Sequence, residues 1–291
     1  MRRESMVWVG AAILALLAIA TLGAPWLAPH DPLHVNLPDA LLPPSSIYPL
    51  GTDALGRDVL SRLIYGARIS LSIGFIAVGI AILVGTAVGV IAGFYGGWID
   101  VVLMRIVDTL LSIPTIFLLL AVIAMDPAER LRSLDTLPVL GRAFSALFGA
   151  VDPQIVILMA VIGLMSWMGV ARLVRAEILT LKEREFVLAS RVAGASPLRL
   201  MRVHLLPNAL APVIVSATLG VGGAILSESL LSYLGLGVQP PTPSWGNMLN
   251  EGRVTLGVAW WLTISPGLCI LISVLGLNML GEGLRERVAR Q

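Results

Sequence analysis

Apolar residues fill six long stretches of the chain: Met6 to Leu27, Ile69 to Phe94, Val101 to Met125, Ile155 to Val174, Ala209 to Leu234 and Trp260 to Leu280. Most charged and turn-forming residues lie between them. A helix that crosses a bilayer needs about 20 predominantly apolar residues, so the pattern predicts an all-α integral membrane protein with six transmembrane helices. The first stretch follows Arg2 and Arg3 and has two readings, an uncleaved anchor or a signal peptide; its 22 residues exceed a usual signal-peptide core and favour the anchor.

Composition agrees. Of the 291 residues 57% are hydrophobic and 13% charged, and the mean hydropathy is +0.89, which excludes a water-soluble globular domain, a disordered chain and a disulfide scaffold. The single cysteine, Cys269, rules out an intrachain disulfide. The net charge of +2 is no sign of nucleic acid binding; what matters is where the basic residues fall. With the amino terminus inside, thirteen of the 20 lie on the cytoplasmic side, so the positive-inside bias predicts that both termini are cytoplasmic.

Between the first two stretches Pro25, Pro29, Pro32, Pro38, Pro43, Pro44 and Pro49 predict an extended strap over the outer face. From Asp53 to Arg68, Leu55, Val59, Leu60, Leu63 and Ile64 recur among Arg57, Asp58 and Arg62 at near-helical spacing. This reads as a helix lying in the interface, which either orients the second span or acts as a gate. In the second span Ala81, Gly85, Gly89 and Gly93 form a small-residue stripe for close helix approach, within the chain or between subunits. The segment from Asp126 to Asp152 reads as an added outer loop.

The loop from Arg175 to Leu206, about 32 residues on the basic side, has the turn chemistry of a helical hairpin. A helix over Glu183 to Ala193 ends at Gly194, which can adopt the left-handed conformation; Ser196 caps a second helix and Pro197 opens it. That second helix is expected to end by Leu206, because Pro207 has no amide donor. Such a hairpin suits docking of a cytoplasmic partner or resting on lipid headgroups.

The run Glu185-Phe-Val-Leu-Ala-Ser-Arg-Val-Ala-Gly-Ala-Ser-Pro197, followed by His204-Leu-Leu-Pro207-Asn208, closely resembles the EAA loop of bacterial ABC importer permeases, in its peptide-permease form. Leu50 to Arg62, Arg105 to Pro114 and Leu231 to Gly246 look like the same family, the last resembling the second of two paired permeases in the dipeptide, oligopeptide and nickel group. The resemblance implies an ABC type I importer permease fold with a cytoplasmic coupling-helix hairpin, in which Glu185, Phe186, Ala189, Ser190, Gly194, Ala195, Ser196, Pro197, His204 and Pro207 form the surface coupled to an ATPase. Leu188 and Ser190 depart from the general pattern, which has glutamate and alanine there, and the carboxyl end lacks the usual aspartates.

The implied partners are a homologous second permease, two ABC ATPase subunits carrying ATP and magnesium, and an extracytoplasmic substrate-binding protein, in a bacterial inner membrane. The implied division is an anchor, strap and interfacial helix over 1–68, a permease core over 69–281 and a cytoplasmic tail over 282–291. The implied cargo is a dipeptide or oligopeptide, with nickel chelates or glutathione on the same scaffold as alternatives.

Polar residues within the spans are costly and therefore functional candidates. Asp108 has Arg105 three residues before it as a pairing partner, and Glu228 has none in its own helix; with Asn278 they are candidates to line a translocation pathway. Ser227 and Ser265 are lesser candidates. His30 and His34 flank Pro32, which spoils helical metal spacing. The chain has one lysine, Lys182, and no phosphate-binding Gly-x-x-x-x-Gly-Lys run, so it is expected to be no enzyme and to bind no cofactor. An ion-coupled secondary transporter is the rival class.

Overall fold

A computed structural model describes residues 3–125 and 152–288. Among them the helices of eight residues or more are α1 (Arg3–Leu22), α2 (Val59–Tyr95), α3 (Gly97–Leu111), α4 (Thr115–Ala124), α5 (Pro153–Leu181), α6 (Glu185–Val192), α7 (Pro197–Tyr233), α8 (Trp245–Gly252) and α9 (Trp261–Val288). No strand occurs among the described residues, only an isolated bridge between Thr52 and Asp58. The outer loop expected over 126–152 lies outside the described residues except for Asp152, whose side chain caps α5.

Four helices, α2, α5, α7 and α9, are long and apolar enough to cross a membrane; α1 is a shorter apolar helix that packs mainly along α9. The third span expected over Val101 to Met125 falls on the pair α3 and α4, bent by 83° at a short break. The cause is local. Pro114 lacks an amide hydrogen and disfavours helix in Ile113, so the chain turns and restarts with Pro114 as the cap of α4.

The interfacial helix expected over 53–68 is also replaced. Gly51 and Gly56 sit at φ of +73° and +72°, folding Asp53 to Asp58 into a turn, and α2 begins at Val59 with the Asp58 carboxylate accepting from Ser61 N at 2.9 Å. From there α2 runs unbroken for 37 residues, about 55 Å at 1.5 Å per residue. That exceeds the ~30 Å hydrocarbon layer, so one helix serves as both span and projection.

The small-residue stripe of α2 faces α5 within the chain. A Cβ added at Gly85 would lie 2.6 Å from Trp167 O, and one at Gly89 2.6 Å from Ala171 O, so this approach tolerates no side chain. Two apolar clusters flank the contact. At the strap end Val59, Leu63, Ile225, Leu231, Trp245 and Trp261 are buried together. At the hairpin end Val170, Val174 and Ile178 of α5 pack with Val187, Leu200 and Leu205.

Candidate functional site

At the hairpin end α6 closes as predicted. Gly194 has φ +84°, Gly194 N donates to Arg191 O and Ala195 N to Ser190 O (both 3.0 Å), the paired bonds of a left-handed helix stop. A Cβ at Gly194 would meet nothing within 4 Å, so glycine is required there by the backbone angle and not by space. Ser196 then caps α7, its Oγ accepting from Arg199 N, with Pro197 in the first turn.

The second arm does not end at Leu206. Residues Leu200–Leu205 form a π turn, in which Leu206 N donates to Met201 O, and the helix passes through Pro207 and Pro212 to Tyr233. Widening the turn by one residue shifts the hydrogen-bond register just where Pro207 has no donor, so the proline is absorbed and the arm is continuous with the following span.

The arms are joined by Ser190 Oγ and His204 Nε2, 3.1 Å apart, with the Phe186 ring 6.4 Å from that of His204. Asn208 Nδ2 donates to His204 O. Val187 is buried inward, whereas Glu185, Leu188, Ala189 and Val192 lie on an exposed stripe at helical spacing. Val192 is 90% and Leu198, across the corner, 52% exposed. The hairpin thus presents an uncovered apolar ridge on a firmly packed base.

The other predicted residues are scattered. Asp108 is exposed and its partner is Arg172 of α5, in place of the expected Arg105. A residue two turns along α3, Asp100, receives both Nε and Nη2 of Arg175 at 2.5 and 2.6 Å. Asn278 is exposed on α9. Glu228 has 0% exposure: Ser232 Oγ donates to it at 2.7 Å and Ser70 Oγ at 3.1 Å, and Ser70 Oγ in turn accepts from Trp245 N. It is enclosed by α2, α7 and α8 of its own chain. Ser227 bonds back to Gly223 O within its helix.

Sequence reasoning missed a buried charge cluster at the strap end. Asp53 accepts from Arg57 Nε and Arg62 Nη1, both at 2.6 Å, and Glu251 of α8 accepts from Arg57 Nη2 at 3.0 Å and Arg62 Nη2 at 3.1 Å. Arg62 is 1% exposed, and two carboxylates balance two guanidinium groups. Burial pushes the Glu251 carboxyl above its usual range, opposed by the Arg57 charge. The signal was the run Asp53, Arg57, Asp58, Arg62 in ten residues, which periodicity placed on a helix lying in the interface. Among the described residues no group of three or more His, Cys, Asp or Glu side chains could hold a metal.

The fold and the exposed hairpin define a class, a polytopic helical membrane protein with an ordered helical hairpin between two of its long apolar helices. Comparison with known proteins gives the family. Residues 85–291 match the binding-protein-dependent transport system inner membrane component family, and residues 1–44 match the N-terminal TM domain of oligopeptide transport permease C. The chain belongs to the former family and is a multi-pass inner-membrane permease component.

It is 41% identical to the di/tripeptide transport system permease protein DppC of Pseudomonas aeruginosa, over 95% of this chain and 85% of that one. Identity is 39% with the dipeptide transport system permease protein DppC of Haemophilus influenzae, over 96% and 88%. It is 38% with the glutathione transport system permease protein GsiD of Escherichia coli, over 98% and 86%. Among solved structures the chain resembles one of inward-facing conformations of the MetNI methionine ABC transporter, with a TM-score of 0.57 at 21% identity, covering 79% of this chain and 97% of that chain. This last likeness concerns the fold.

Proposed function

We propose that this chain is one of two homologous permease subunits of an ABC importer for dipeptides or oligopeptides. It forms half of the translocation pathway, while two ATPase subunits bind ATP and magnesium and an extracytoplasmic binding protein delivers cargo. The observation that carries this reading is the exposed apolar ridge of the hairpin, on a chain belonging to a binding-protein-dependent permease family. The dipeptide permeases among its relatives support the cargo class, and a glutathione permease at 38% identity keeps that tripeptide as the second reading.

In this reading α1 is the first of six spans and the α3–α4 pair the third. Residues 1–68 form the anchor and outer strap, 69–281 the permease core and 282–291 the tail. Both termini and the hairpin lie in the cytoplasm. Glu185, Phe186, Ala189, Ser190, Gly194, Ala195, Ser196, Pro197, His204 and Pro207 build the ATPase seat, some by contact and others, as Ser190 and His204, by holding the arms together. When the ATPases close, the hairpin moves and the spans rock so that the pathway opens to each side in turn. Asp108 and Asn278 lie on surface that a second permease completes; Glu228 serves by joining its three helices.

Mild-detergent purification of the tagged chain from its native membranes, with mass spectrometry of stoichiometric partners, tests the reading. A second permease and ATPases with phosphate-binding loops are expected. Recovery of the chain alone, in a preparation that preserves a known importer, would favour a secondary transporter.

A further inference from the structure

The broken span is attached to the rest of the chain in an unusual way. Of the fifteen residues of α3 only Val107 is buried, packed with Met168 and Ala171 of α5. Met104 and Leu110 of α3 add half-buried contacts to that small cluster, and two ion pairs complete the attachment to α5: Arg175 grips both oxygens of Asp100, and Arg172 binds Asp108. Asp100 and Asp108 are eight residues apart, about 12 Å along the axis, so two bonds set both the height and the direction of α3. A different face of α5 belongs to the hairpin, since Val170, Val174 and Ile178 share one cluster with Val187, Leu200 and Leu205. α5 is therefore clamped to the hairpin by packing and to α3 by ion pairs and a small apolar contact. Three residues beyond the Asp108 pair, α3 ends and the chain turns by 83° into α4.

We propose that Asp100, Arg172 and Arg175, with Asp108, are positioning residues that pass the movement of the hairpin through α5 to α3, and that the Ser112–Pro114 corner is the joint at which α3 swings against α4. The Arg172–Asp108 pair is half exposed and adds little to the stability of the fold, while the more shielded Arg175–Asp100 pair is bidentate and directional; together they let α3 follow α5 without fusing the two into one core. With one fully buried residue and a small apolar contact through Met104 and Leu110, α3 is not locked into a large core. The proposal rests on the importer reading given above.

The test uses the complete complex, with its second permease, ATPases and binding protein, reconstituted in proteoliposomes, reading peptide uptake and ATP hydrolysis together. Asp100→Arg is expected to lower uptake per ATP by about tenfold while hydrolysis stays within about twofold, and the reversed pair Asp100→Arg/Arg175→Asp to restore most of it. Because a charge reversal can impair folding, Arg172→Gln at the half-exposed pair is measured in the same assay and is expected to lower uptake per ATP about threefold. Unchanged uptake per ATP in both single variants overturns the proposal, as does a loss of uptake and hydrolysis in parallel without rescue by the reversed pair. A wild-type chain that recruits no ATPase refutes the importer reading instead, and is seen before any variant is made.

Discussion

The two ends of this molecule are held by different forces. At the strap end, polar bonds cross between distant segments: Asp53, Arg57, Arg62 and Glu251 form a buried four-charge cluster, Trp261 Nε1 donates to Thr52 O, and Glu228 collects hydroxyls from two helices. At the hairpin end the contacts are mainly apolar or glycine-mediated, and the charges form separate pairs, Asp108 with Arg172 half exposed and Asp100 with Arg175 partly buried, instead of one enclosed cluster. A buried ion cluster is stable only with every member present, and it specifies one geometry. Apolar packing and surface pairs are more permissive, since neither fixes a single partner atom. The difference assigns rigidity to one end and adjustability to the other, which suits a permease whose proposed drive acts at the hairpin.

The contrast can be broken most directly at Arg62. Replacing it with methionine leaves the buried Asp53 and the partly buried Glu251 with Arg57 alone to balance them and is expected to cost about 3–5 kcal/mol, read as a large fall in the thermal unfolding midpoint in detergent. Next comes the close approach of α2 and α5. Gly89→Ile drives a branched side chain into Ala171 O and is expected to cost about 1–3 kcal/mol or more by the same measurement. If this variant were the less stable of the two, the ranking of the ends would be reversed.

At Gly194 stability and function should separate. Valine there has room but not the backbone angle, so the expected cost is about 1–2 kcal/mol confined to the hairpin. The complex should assemble and peptide uptake should be abolished; normal uptake would remove the docking account. The smallest effect is expected for Arg172→Gln, at about 0–1 kcal/mol, because both members of its pair are half exposed. A midpoint shift as large as that of Arg62→Met would show that the hairpin end is locked as tightly as the strap end.

Much of this was legible along the chain because it depends on neighbours in sequence. Apolar block length located the four described helices long and apolar enough to cross a membrane, out of six expected, and the order Gly194, Ser196, Pro197 located the corner, its cap and the start of α7, since each is set by a residue's own torsion angles or by a bond to a group within three positions. Two features were not legible. Pro207 reads as a stop, yet the π turn before it carries the helix through. Pro114 sits inside an apolar run that reads as one span, yet it breaks that span by 83°. The same residue type therefore ends, bends or joins a helix according to what the surrounding packing allows.

The sequence by itself determined the class: a helical protein of the membrane, with no phosphate-binding loop and an ordered hairpin between its fourth and fifth apolar stretches. Block length, charge placement and turn chemistry are local properties and need no fold to be read. Only the tertiary structure decided which charges meet. Arg57 and Arg62 find Glu251 nearly 200 positions away, Asp108 binds Arg172 and not the nearby Arg105, and Glu228 is closed in by serines from two helices. Those pairings follow from how long helices cross, and a pattern along one dimension does not contain the crossing.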